Sequence, residues 1–88
     1  MYKIIKTSYK EEVNKDLKEV NKEEILGFET FTAAQDFMNA NVTSILNAIK
    51  SHNRFVEAET NLKRDRVSIH DNQNIYHKYF DFYIQEYS

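Results

Sequence analysis

The side chains most able to bind a metal ion are His52, His70 and His77, with Asp71 as a further possible ligand. Zinc ligands converge within about 2.0–2.2 Å of the metal and usually include a pair spaced three or four residues apart. None of the three histidines has such a partner, and the chain contains no cysteine. The sequence therefore predicts no metal site.

Paired carboxylates are the next candidates, at Glu11–Glu12 and Glu23–Glu24. Adjacent side chains on a helix diverge by roughly 100°, so neither pair can act together on one substrate. No serine has an evident base to activate it, and Gly27, the only glycine, cannot form a phosphate-binding loop. We predict that the protein is not an enzyme and uses no cofactor.

A stretch from Thr32 to Lys50 has the pattern of a helix-turn-helix, in which the second helix enters the DNA major groove. Ala33 and Ala34 are small enough for a close helix crossing, and Ile45 and Ile49 can anchor the second helix. Asparagine bonds adenine in two places, hydroxyls suit bases or phosphates, and cations suit phosphates. The predicted DNA contacts are Asn41, Thr43, Ser44, Asn47, Lys50 and Arg54.

The order Phe28-x-Thr30-x-Thr32-x-Ala34, then Phe37-Met38, a turn, Thr43-Ser44-Ile45 and Ala48-Ile49-Lys50 resembles a known family. It is similar to the small helix-turn-helix modules appended to phage homing endonucleases. The resemblance covers about a quarter of the chain, and it implies DNA binding by residues 42–50.

The chain departs from that family at two positions. Gln35 stands where the family prefers a small residue, with Ala34 one place early, and Asn39 replaces the turn glycine. Either the turn is one residue longer or the helices cross at a wider distance, which weakens DNA reading. The alternative is a structural helical hairpin packed on a sheet.

The last third of the chain is aromatic, and strict alternation from Ile75 to Tyr87 predicts a strand with two different faces. Tyr76, Phe80, Phe82 and Ile84 share the predicted core face. The other face carries His77, Tyr79, Asp81, Tyr83, Gln85 and Tyr87. Because tyrosine is enriched where proteins bind, we predict that Tyr79, Tyr83 and Tyr87 bind a protein partner or a second copy through a sheet edge. The alternative is that the amphipathic helix covers them.

Four elements must position these groups in the predicted α+β fold. An N-terminal strand over residues 2–9 precedes an amphipathic helix over residues 10–26, which Gly27 ends as a C-cap. A helix-turn-helix-like helical pair follows, with its turn at residues 39–41. A C-terminal β-hairpin, turning at residues 71–74, places its aromatic strand beside the first strand.

Composition limits the number of domains and the class of protein. With 88 residues, 41 % hydrophobic and 30 % charged, the chain is one folded domain, 1–88, with a net charge of −2. Residues 42–66 carry five cations against three anions. No segment reaches the roughly 18 apolar residues of a membrane span, and no signal peptide is evident, so we predict a cytoplasmic protein with no membrane partner.

Two functions follow from these patterns. The first is a small DNA-binding regulator from a phage or mobile element, a source that suits the abundance of Asn, Lys, Ile, Tyr and Glu. The second is a phage- or plasmid-encoded inhibitor or adaptor that binds a host protein through the aromatic C-terminal strand.

Overall fold

The computed structural model describes residues 1–11 and 17–88, with side chains for residues 1–10, 21–73 and 77–88. Within these residues the chain forms one antiparallel sheet and one helix. In chain order, the elements are β1 (Tyr2–Glu11), β2 (Leu17–Phe28), α1 (Phe31–Lys50), β3 (Val56–Thr60), β4 (Arg66–Asp71) and β5 (Asn74–Glu86). The order of strands in the sheet is β2-β1-β5-β4-β3.

The centre of the sheet is built by β1 and β5. Both strands are rich in β-branched and aromatic residues, which pack well on a pleated, half-buried surface. They pair antiparallel with Ile4 opposite Ile84 and Lys6 opposite Phe82. The predicted pairing of the last strand with the first is confirmed, and so is the antiparallel β4–β5 hairpin that turns after Asp71.

The helix α1 is continuous from Phe31 to Lys50 and lies across one face of the sheet. Its first turn is capped by Thr30, whose Oγ1 accepts a hydrogen bond from the backbone N–H of Ala33 at 3.0 Å. The residues it buries on the sheet recur at helical spacing; they are Ala34, Met38, Val42 and Ile49. Ile45 and Leu46 are half-buried and pack against the same core.

The predicted turn at residues 39–41 is wrong, and with it the helix-turn-helix. The apolar stripe continues through this segment without a break, from Met38 to Val42. An Asn in place of Ala lowers helix stability by less than about 1 kcal/mol. Residues 31–50 contain no Gly or Pro that would interrupt the helix. Asn41 instead bonds within the helix, donating from Nδ2 to the backbone oxygen of Phe37 at 3.1 Å.

The predicted helix over residues 10–26 is also wrong where the structure describes it. Residues 17–28 form the edge strand β2, while residues 12–16 lie outside the described part of the chain. A helix here would bury only a narrow stripe, whereas the strand pairs its backbone with β1 and places Ile25 and Phe28 against the core. Gly27 does not cap a helix. With a φ of +94° it forms a bulge between the Tyr2–Phe28 and Ile4–Ile25 pairs.

The fold class is therefore corrected from a helical pair beside a hairpin to a five-stranded sheet with one helix, within the described residues. The core lies between the helix and one face of the sheet, and Ile4, Ile69 and Phe82 are its fully buried sheet members. In the described part of the chain, the helix is not long and apolar enough to cross a membrane.

Candidate functional site

The two faces of the sheet have different surroundings. Strand register places Ile4, Phe82, Ile84 and Val67 on the face under α1, and all four are buried. Among residues 1–11 and 17–88, no helix or further strand covers the opposite face. We call this the open face. Its central residues are Lys3, Ile5, Thr7 and Tyr9 of β1, Lys78, Asp81 and Tyr83 of β5 with Tyr87 just beyond that strand, and Arg66 and Ser68 of β4.

The three tyrosines predicted to bind a partner do not share one face. The register between β4 and β5 shifts by one residue between the Ile69–Phe80 and His70–Lys78 pairs, so Tyr79 is the extra residue of a bulge. Tyr79 lies on the helix side, where its hydroxyl accepts a hydrogen bond from Asn53 Nδ2 at 2.9 Å. Tyr83 and Tyr87 lie on the open face, and all three rings are half-buried.

The predicted edge position of the aromatic strand is wrong as well. β5 is bonded to β1 on one side and to β4 on the other, so its backbone between Phe80 and Tyr83 is paired on both sides. A second copy therefore cannot add a strand to this segment.

Each tyrosine of the open face lies beside a cation. Arg66 Cζ is 4.4 Å from the ring centroid of Tyr83, and Lys3 Nζ is 5.7 Å from that of Tyr87. Lys78 Nζ lies 5.7 Å from the ring centroid of Tyr9, a tyrosine contributed by β1. Cations within about 6 Å of an aromatic ring are attracted to its negative face, so these contacts hold the rings in place.

Hydrogen bonds and ion pairs add to these contacts. The hydroxyl of Tyr9 donates to Asp81 Oδ2 at 2.6 Å, and the same oxygen lies 3.4 Å from Lys78 Nζ. The hydroxyl of Tyr87 accepts from the backbone N–H of Gly27 at 3.1 Å. These bonds restrict the orientations of the rings of Tyr9 and Tyr87.

The charged side chains that the structure describes on the open face balance. Its basic residues are Lys3, Lys22, Arg66 and Lys78, and its acidic residues are Glu24, Glu57, Glu59 and Asp81. Two of these cations form ion pairs: Lys3 with Glu24 at 3.1 Å, and Lys78 with Asp81. The surface is strongly polar and aromatic, but the formal charges of its described side chains sum to zero.

A shallow cavity of about 340 Å³ lies on the open face between β3, β4 and β5. Its lining includes both charge signs, with Arg66 and Lys78 against Glu59 and Asp81, and the ring of Tyr83. Such a lining offers hydrogen-bonding and charged groups of both signs.

The loop from β3 to β4 borders this cavity and is rigidly built. Asn61 Oδ1 accepts from the backbone N–H groups of Asp65 and Arg66, each at 3.1 Å, and Asn61 Nδ2 donates to Asp65 Oδ1 at 2.6 Å. Arg64 has a φ of +56°, which is uncommon for a residue with a side chain. Its carbonyl oxygen is tied to the helix by Gln35 Nε2 at 3.1 Å.

The residues predicted to contact DNA lie on or after α1, but the predicted DNA-reading geometry is absent. Thr43, Ser44, Asn47 and Lys50 are exposed on the outer side of the helix, and Asn41 is half-buried. Arg54 follows the helix, with its guanidinium 4.9 Å from the ring centroid of Phe55. No second helix crosses this one in the described residues, so no recognition helix is set at an angle to a support.

The predicted metal-binding candidates are separated in the structure. His52 lies at the end of α1, His77 stacks on Tyr79, and buried His70 places Nε2 3.2 Å from Glu57 Oε1. Within the described residues, no cluster of histidine and carboxylate side chains can hold a metal ion.

Comparison of the chain with protein-family models, with curated proteins and with solved structures finds no match. Function must therefore be inferred from the chemistry of the surface itself.

Sequence reasoning missed several residues of this surface, namely Tyr9, Lys3, Lys78 and Arg66. The signal for the first two was the alternation of residues 2–9, which places Lys3, Ile5, Thr7 and Tyr9 on one side of a strand. The side of Lys78 depends on the bulge at Tyr79, which strict alternation does not reveal.

Proposed function

We propose that the protein is a small binding domain that engages a protein partner through the open face. The observation that carries this proposal is the set of three tyrosines, Tyr9, Tyr83 and Tyr87, each held by a cation on a sheet face without cover in the described chain. Tyrosine and arginine are enriched in the energetically important parts of protein interfaces.

The fixed orientation of these rings favours binding. Ordering a mobile side chain at an interface costs about 0.5–1.5 kcal/mol, and that cost reduces affinity. Tyr9 and Tyr87 are each held by a cation and a hydrogen bond in the free protein, and Tyr83 is held by Arg66. These side chains therefore lose much of their conformational freedom when the domain folds, and binding a partner removes less of it.

The charge balance favours a protein over a nucleic acid. Aromatic rings on a sheet can stack on the bases of single-stranded nucleic acid, but such surfaces combine the rings with a positively charged groove. Here Lys3 and Lys78 are paired with carboxylates, and the side chains that the structure describes on this face carry no excess positive charge. A protein surface that presents both charge signs is the better complement.

The open face also suits a partner better than the free edges of the sheet. On β3, antiparallel pairing with a second copy centred on Ala58 would bring Glu57 of one chain opposite Glu59 of the other. Like charges directly opposite each other destabilise a pair of strands. The edge strand β2 exposes Lys22, Glu23 and Glu24, and such charged edges discourage strand addition.

Truncation of Tyr83 tests the proposal. Binders selected from a library of designed repeat proteins with a randomised concave surface serve as defined protein probes. We expect Tyr83→Ala to weaken the selected binders by roughly 30-fold or more, the effect of losing a hot-spot side chain of about 2 kcal/mol. Titration by isothermal calorimetry measures the change.

A matched control uses the tyrosine on the other side of the sheet. Tyr79→Phe removes the hydroxyl that bonds Asn53 but leaves the open face intact, so binding should stay within about twofold of wild type. Thermal melts must show that Tyr83→Ala remains folded. Selected binders that tolerate Tyr83→Ala in a folded protein would refute the proposed surface.

A further inference from the structure

The most exposed large apolar side chain among the described residues is Leu62, at 102 % of its reference area. It lies at the tip of the β3–β4 loop, beside Lys63 and Arg64. Single exposed leucines are common on protein surfaces, so exposure alone would carry nothing. Three further features of this loop distinguish it.

The first feature is rigidity. Asn61, at the start of the turn, accepts hydrogen bonds from the backbone N–H groups of Asp65 and Arg66 at its end. Gln35 holds the Arg64 carbonyl from the helix, and the backbone N–H of Ile84 donates to the backbone oxygen of Asp65 at 2.8 Å. Arg64 is held in a left-handed conformation, which is unfavourable for a residue with a side chain and needs such support. Leu62 is thus displayed from a fixed backbone.

The second feature is charge, and the third is position. Lys63 and Arg64 outnumber the one acid of the loop, Asp65, whose carboxylate accepts a hydrogen bond from Asn61 Nδ2. A groove beside the loop is lined by both Leu62 and Tyr83, so the tip is continuous with the open face.

We propose that Leu62 is the apolar anchor of the interface and enters a hydrophobic pocket with an acidic rim on a protein partner. This inference rests on the proposed function, because the pocket must lie next to the surface that covers Tyr83. Carboxylates around the pocket meet Lys63 and Arg64 while the leucine is buried. The part of the partner surface that receives Leu62 is therefore a concave, acidic pocket.

The test uses a panel of independent binders from the repeat-protein library, each measured by calorimetry against wild type and variants. Leu62→Asp should weaken most binders by roughly 30-fold or more, since it places an acid against an acidic rim. The double variant Lys63→Glu, Arg64→Glu should slow association about tenfold at low salt, and added salt should reduce the difference. Thr43→Asp, exposed on the outer side of α1 and away from the open face, is the matched control and should leave binding within about twofold.

The outcomes separate this inference from the proposed function. If Tyr83→Ala weakens the panel and Leu62→Asp does not, the anchor is wrong and the open face stands. If Leu62→Asp weakens it and Tyr83→Ala does not, the proposed face is wrong, and with it the placement of the pocket argued here. Because Leu62 is fully exposed, its variant should melt at the wild-type temperature.

Vesicles of phosphatidylserine and phosphatidylcholine, and a mixed single-stranded DNA, are further probes. Leu62-dependent binding to either would overturn the proposal of a protein pocket.

Discussion

Truncation of Phe82 to alanine is expected to lower the free energy of unfolding by about 3–5 kcal/mol, the range for removing a buried aromatic ring. Phe82 is 1 % exposed and lies at the centre of the sheet, opposite Lys6 on β1 and Val67 on β4. Domains of this size have roughly 5–15 kcal/mol of stability in total, so the loss should be large. Urea denaturation measures it.

Phe37 provides the control for this prediction. This residue of α1 is 41 % exposed, and its ring centroid lies 5.2 Å from that of Phe28. Phe37→Ala should cost less than about 2 kcal/mol, because a large part of the residue stays in contact with water and less apolar area is buried than at Phe82. Equal losses for the two variants would show that the helix and the sheet do not form the described core.

A proline at position 40 is expected to lower the free energy of unfolding by about 3 kcal/mol or more, because Ala40 lies in the middle of a continuous helix. Proline removes a backbone hydrogen bond and clashes with the preceding turn. Ala40 is exposed, so the loss comes from the backbone and not from core packing. Urea denaturation monitored by circular dichroism measures the change.

The glycine variant at the same position calibrates the effect. Ala40→Gly should cost about 1 kcal/mol in a helix interior, whereas a turn at residues 39–41 would tolerate glycine without loss. A proline variant as stable as wild type would mean that the helix is interrupted there, as the helix-turn-helix interpretation required.

The C-terminal half of the sheet was predictable because its signals are local. Three local patterns predicted the β4–β5 hairpin: polar and apolar residues alternate over 66–70, an Asp–Asn turn follows, and an aromatic run comes after it. Helical spacing also placed Ile49 inside and Thr43 and Asn47 outside, as found. Ile45, which was also predicted to be buried, is half-buried and packs against the core.

The errors arose where long-range pairing decides the structure. Residues 17–28 form β2 because β1 offers them a partner, and a charged segment with few apolar residues does not reveal that partner. Asn39 and Asn41 are turn-formers in isolation, but Met38 and Val42 keep the helix continuous by packing on the sheet.

On the open face, the side on which single residues lie also depends on strand pairing and on a bulge. The bulge at Tyr79 turns that ring toward Asn53 and leaves Lys78 and Tyr83 on the other side. Alternation alone groups Tyr79 with Tyr83. The contribution of Tyr9 depends on the pairing of β1 with β5, which brings its hydroxyl to Asp81.

The most direct test of the open face as the binding surface is an NMR titration of the ¹⁵N-labelled protein with a selected repeat-protein binder. The largest changes in amide chemical shift should fall on β1, β5 and the β3–β4 loop, at Tyr9, Tyr83 and Leu62. Amides on the outer side of α1, at Thr43 and Asn47, should change little. Changes concentrated on that side of the helix, with the open face unaffected, would contradict the account.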